Sequence, residues 1–69
     1  MHRFLVVIEK AGKNFSAYSP DLPGCVSTGA TRKEAEKNMH KAITLHVKGL
    51  QEDHVSIPVS RSFAEYIAI

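Results

Sequence analysis

Sixty-nine residues with 43% hydrophobic and 23% charged side chains describe one folded domain, residues 1–69, and exclude a disordered chain. A net charge of +2, from nine scattered Lys and Arg against seven Asp and Glu, lacks the clustered basic stripe typical of a nucleic-acid binder. The single cysteine, Cys25, excludes an internal disulfide and suits a reducing compartment.

A chain this short buries only about 60% of the surface that its unfolded form exposes, and small domains commonly gain stability from metals, disulfides or self-association. Self-association is therefore expected. The longest apolar run, residues 4–8, is too short to cross a bilayer. It also ends in Glu9 and Lys10, which is not the pattern of a secretion signal. A cytoplasmic location and no membrane contact are the resulting expectations.

Residues 3–10 read as a first strand. Phe4, Val6 and Ile8 alternate onto one face, Leu5 and Val7 onto the other. Both faces are apolar, so both should be covered, one by a helix and the other by a partner. Ala11, Gly12, Lys13 and Asn14 form a turn, with Gly12 and Asn14 as the residues that accept positive φ. Residues 15–19 close a β-hairpin. Pro20 and Pro23 then stop the ladder, because neither has an amide to donate. The loop Tyr18-Ser19-Pro20-Asp21-Leu22-Pro23-Gly24-Cys25 should be stiff. It reads either as a strand connector or as a docking knob that displays Leu22. Residues 25–28 form a third strand, ended by Gly29.

Thr31 and Glu34 have the spacing of a capping box. The helix that they start should run from about residue 32 to about residue 50, with Gly49 marking its end and Lys48 in its last turn. Its apolar stripe is Ala35, Met39, Ala42, Ile43, His46, Val47 and Leu50, at steps of three and four. Five basic residues and two acids lie on the same segment, the pattern of a solvated face. After a polar turn at residues 51–54, residues 60–69 read as a last strand. Phe63, Glu65 and Ile67 alternate with Ala64, Tyr66 and Ala68, although Ala and Glu also permit a helix there. The fold class is thus α+β, in the order β-β-β-α-β: a small antiparallel sheet with one helix packed on one face.

The chemistry-bearing residues do not assemble into a known catalytic pattern. His40 and His46 are six apart, not the four that put two ligands on one helix face. Cys25 has no CxxC partner and sits in an apolar strand, where a thiol behaves as a small hydrophobe. A metal-dependent nuclease gathers several carboxylates around its ions, whereas Glu9, Asp21 and Glu65 lie at a strand end, in the loop and on the last strand. No catalytic residue, no metal site and no cofactor are expected.

The loop and its continuation resemble the HicB family of antitoxins. The likeness runs in order through the apolar strand at residues 4–8, the aromatic-led Phe15-Ser16-Ala17-Tyr18, and Pro20-Asp21-Leu22-Pro23-Gly24-Cys25. It continues through Thr28-Gly29, Thr31, Glu34-Ala35 and Asn38, then Ile57-Pro58. It covers nearly all of residues 4–58. The resemblance implies a truncated ribonuclease-H-like fold and a binding role, in which the domain covers the active site of a small HicA-like mRNA-cleaving toxin. It also implies a homo-oligomer, a dimer or a tetramer. Many HicB proteins carry a C-terminal DNA-binding module; none follows here, which argues against direct DNA binding. The slight positive charge is also less suited than a negative one to a basic toxin, and Asp53-His54 stands where the family often has Asp-Gly. The partner-binding residues expected on this reading are Tyr18, Asp21 and Leu22. The alternatives are an orphan structural or RNA-associated homo-oligomer with no toxin partner, and a nuclease of residual activity.

Overall fold

The computed structural model describes residues 2–69. Three strands, β1 (Val7–Ala11), β2 (Asn14–Tyr18) and β3 (Val26–Gly29), precede one helix, α1 (Arg32–Glu52). The strands form a single antiparallel sheet in the order β1-β2-β3. The α+β class and the antiparallel sheet with one helix on it are as the sequence implies.

Local chemistry sets each boundary. Ala11 pairs with Asn14, so Gly12 and Lys13 are the two central residues of the hairpin turn. Only Gly12 is left-handed, at φ 62°. This is the single-glycine turn that matches the twist of flanking strands, and Asn14 belongs to β2 without needing positive φ. The proline loop is two β-turns in series. In the first, the Leu22 amide donates to the Ser19 carbonyl at 3.1 Å; in the second, the Cys25 amide donates to the Leu22 carbonyl at 3.1 Å. Each turn has proline at its second position, where a fixed φ is pre-set for the turn, and Gly24 supplies φ 83° at the third position of the second, as a type II turn requires.

The helix starts as a capping box. Thr31 Oγ1 accepts the Glu34 amide at 3.1 Å, and Glu34 Oε1 reaches back to the amide of Ala30, one residue earlier than expected, at 3.3 Å. Two side-chain bonds fix α1 to β3: Ser27 Oγ donates to the Ala35 carbonyl at 3.0 Å, and Asn38 Nδ2 to the Thr28 carbonyl at 2.8 Å. The helix does not stop at Gly49, and Lys48 lies before its last turn. A Schellman motif ends it instead: the Val55 amide bonds to the Leu50 carbonyl and the His54 amide to that of Gln51. His54 takes the left-handed position usually given to glycine, at φ 57°. His54→Gly should therefore stabilise the chain by about 0.5–1 kcal/mol, the left-handed cost that glycine escapes less its larger unfolded entropy. Thermal or urea unfolding checks this, with a rise in midpoint as the expected outcome.

The core lies between the sheet and α1. Ala17, Leu22, Cys25, Ala35 and Met39 are buried, with Phe4, Val6, Ile8, Ala42 and Ile43 packed around them. The helical stripe matches the periodicity, and Phe4, Val6 and Ile8 pack against the core as their alternation implies. Two expectations are corrected. Residues 60–69 form no strand: they have no regular secondary structure and join no ladder; Asp21 ties Arg61 and Ser62 to the proline loop instead. Residues 3–6 lie outside the ladder, which begins at Val7.

Candidate functional site

Strand register divides the sheet into two faces. Ile8, Ala17 and Ser27 form a row across it that looks towards α1; the next row, Val7, Tyr18 and Val26, looks the other way. Among the described residues no helix or further strand lies over this second face. Tyr18 is 39% exposed and Val26 65% exposed, and the adjoining row of Glu9, Ser16 and Thr28 gives the apolar patch a polar border. An apolar centre with a polar border is the anatomy of a protein-binding surface.

The proline loop adjoins this patch, since it leaves β2 at Tyr18 and returns to β3 at Val26. The structure places the three sequence-predicted binding residues in three different situations. Tyr18 is on the open face. Leu22 is not a displayed knob: it is 1% exposed, among the core residues, because the first turn directs it under the sheet. Asp21 reaches across the surface to residues 40 further along the chain. Its Oδ2 accepts the amides of Arg61 (2.9 Å) and Ser62 (3.0 Å), and its Oδ1 accepts the Ser62 hydroxyl (3.0 Å). Asp21 is thus a clamp on the segment that follows the helix, and its carboxylate is fully engaged. Val26 was missed by sequence reasoning, although its alternation with the buried Cys25 marks it as outward-facing.

The clamp has an electrostatic signature. The Arg61 amide, with smaller help from the Ser62 amide and hydroxyl and the Arg61 charge, holds the Asp21 carboxyl below its ordinary value of 3.8, against partial desolvation. A depressed pKa makes the attachment complete above the ordinary carboxylate range; it is lost as pH falls through the lowered value. Asp21→Ala should therefore release residues 61 and 62 at neutral pH, as should strong acid in the unaltered protein. Amide hydrogen exchange at Arg61 and Ser62 measures it: lower protection relative to the intrinsic rate at the same pH is expected in both cases, with no matching change in α1.

Burial pushes the Cys25 thiol above its ordinary pKa, so it stays protonated and packs as a hydrophobe. Among the described residues no group of three or more His, Cys, Asp or Glu side chains is placed to hold a metal ion, and no helix is long and apolar enough to cross a membrane.

Comparisons with known proteins extend over this whole framework. A protein of Haemophilus phage HP1, from its rep–hol intergenic region, is 39% identical over 62 residues, covering 90% of this chain and 47% of its own length. The chain thus spans about half of that relative. A Thermoplasma acidophilum UPF0150 protein is 34% identical over 68 residues, covering 97% of this chain and 96% of its own length. A Helicobacter pylori UPF0150 protein is 40% identical over 50 residues, 72% of this chain and 69% of its own. Among solved structures, a chain of the HicA3 and HicB3 toxin–antitoxin complex superposes with a TM-score of 0.67 at 26% identity, covering 84% of this chain and 72% of that one. Residues 4–69 match the family described as "HicB_like antitoxin of bacterial toxin-antitoxin system", and with the proline loop, the capping box and the three-stranded sheet all in place, the chain belongs to this family of HicB-like antitoxins.

Proposed function

We propose that this chain neutralises a small HicA-like mRNA-cleaving toxin by binding over its active site, with the open sheet face around Tyr18 and Val26 as the contact surface. The observation that carries this reading is the likeness in fold, with detectable identity, to a chain of a complex formed by a HicA toxin and a HicB antitoxin. The exposed apolar row supports the location, because hot-spot residues are typically aromatic and sit at the centre of a water-excluding patch. Leu22 and Asp21 act behind that surface: the first packs the loop against the core, the second fixes the chain beside it. The protein works by occlusion and not by catalysis; the Asp21 carboxylate is occupied by backbone and hydroxyl donors, and Glu9 stands on the open face. A cytoplasmic site of action and self-association belong to the same reading.

The test is binding of a small HicA-like toxin, measured by calorimetry. Tyr18→Asp and Val26→Asp each put a charge at the centre of the patch without touching the core. Each should weaken binding by about tenfold or more, as expected for a loss above 1.4 kcal/mol at an interface centre, with the helical circular dichroism unchanged. Full affinity in both variants would remove the open face from the mechanism.

A further inference from the structure

The basic residues are scattered along the sequence, but α1 gathers four of them into a row. Lys33, Lys37 and Lys41 follow one another at steps of four, and Lys48 comes a further seven along. At 3.6 residues per turn all four fall within a sector of about 80°, over about 22 Å of helix. All four are exposed. A lysine row on a helix is ordinarily a solvated face; this one rims a groove. The groove is open, runs between β1 and α1, and measures about 1240 Å³, above the ~300–1,000 Å³ of small-molecule pockets. Among the described residues Glu36 is the one acid that lines it. Four lysines against one glutamate leave a charge of +3 in the groove, where the whole chain carries +2.

Two aromatic rings line the same groove. His2 and Phe4 stack, with ring centroids 6.3 Å apart and planes 14° from parallel. His2 is exposed, so its ring is open to a further flat group. A ligand suited to this groove is longer than a small molecule, carries negative charges in a regular series, and has flat rings to stack. A single strand of nucleic acid has all three properties: a phosphate at every nucleotide and a base beside it. The four-residue step sets neighbouring lysines about 6 Å apart along the helix axis, a reach that the flexible backbone of a single strand follows. A duplex offers phosphates but keeps its bases stacked inside. An acidic peptide satisfies the lysines and the apolar floor of Val6, Ile8, Ile43 and Val47, and leaves the aromatic pair without a role.

We propose that the groove between β1 and α1 binds single-stranded nucleic acid, with Lys33, Lys37, Lys41 and Lys48 on its phosphates and a base stacked on His2. Contacts to phosphates and to ring faces carry little sequence information, so binding is tolerant of sequence. The groove is on the helix side of the sheet, where Ile8 points, and the surface around Tyr18 and Val26 is on the other side with Val7. The inference thus goes beyond the toxin reading and does not depend on it.

Fluorescence anisotropy of a labelled oligouridine, titrated with the purified chain at about 50 mM salt, tests it. An oligothymidine of the same length is run beside it. Saturable binding is expected, and its log affinity should fall against log salt with a slope of about −3, as four phosphate contacts give on a single strand. Lys37→Glu/Lys41→Glu should weaken binding by more than tenfold and flatten that slope. Its helical dichroism should be unchanged, because both side chains are exposed. Lys10→Glu/Lys13→Glu makes the same change of charge outside the groove lining and should weaken binding by less than about threefold. His2→Ala should cost about fivefold, the low end of what one stacked base contributes. Tighter binding of the uridine strand assigns RNA as the ligand, and equal binding assigns any single strand; both support the proposal. Absence of binding at low salt would overturn it, as would equal losses in the two double variants or an unaffected His2→Ala chain. Polyglutamate that displaces the probe as well as unlabelled oligouridine would also overturn it, and would mark the groove as a site for acidic peptides.

Discussion

Leu22→Ala is expected to cost about 3 kcal/mol of stability. Leu22 is one of the two largest fully buried side chains, the other being Met39. Removal of a buried leucine to alanine loses the transfer energy of its methyl groups and leaves a cavity, together ~2.7–5 kcal/mol. In a domain of this size each kcal/mol moves the melting point by roughly 4–8 °C, so a drop of about 12 °C or more should be read in a thermal melt followed by circular dichroism. The result also decides between two roles for the residue. A core residue lowers the melting point in the absence of any partner. A docking knob leaves it unchanged and weakens only toxin binding.

Gly29→Ala is the second large effect, of about 3 kcal/mol. A Cβ at Gly29 would lie 2.8 Å from the Glu34 carbonyl carbon and 2.9 Å from Ala35 Cα, and closer still to the Ala35 amide nitrogen. All of these are backbone atoms, so no side chain can rotate away. Either the first turn of α1 moves off β3, straining the Ser27–Ala35 and Asn38–Thr28 hydrogen bonds, or the end of β3 shifts. Overpacking of this kind costs ~1–3 kcal/mol when side chains can adjust and more when they cannot. A chain with the usual ~0.05–0.15 kcal/mol per residue has little margin, and Gly29→Ala should leave a large unfolded fraction at 37 °C, measurable by urea titration. An unchanged midpoint would mean that the helix and strand approach less closely than this geometry has them.

Much of the fold is legible because its signals are local. The prolines, the Thr31–Glu34 box and the stripe from Ala35 to Leu50 each specify their own segment, and the structure reproduces them; of the strand expected over residues 3–10, only residues from Val7 onward enter the ladder. What was not legible depends on contacts distant in sequence. Gly49 resembles a helix stop, but the helix end is decided by the backbone bonds of Val55 and His54, and a histidine can occupy the left-handed position. Leu22 between polar neighbours looks like a displayed side chain; only the two successive turns show that it points inward. Asp21 carries no sign of its partners 40 residues away. Residues 60–69 have strand composition, yet composition does not supply a pairing partner, and they join no ladder. Of the three expected binding residues, Tyr18 is on the open face as its strand parity requires, and the outward position of Val26 was recoverable from the same parity once Cys25 is taken as buried.

The occlusion of a toxin is tested most directly by mRNA cleavage. A HicA-like toxin is incubated with message and increasing amounts of the purified chain. Cleavage should fall in proportion to added chain and cease at stoichiometric amounts, and Tyr18→Asp should require a large excess to reach the same end point. Undiminished cleavage with the unaltered chain in molar excess would contradict the account.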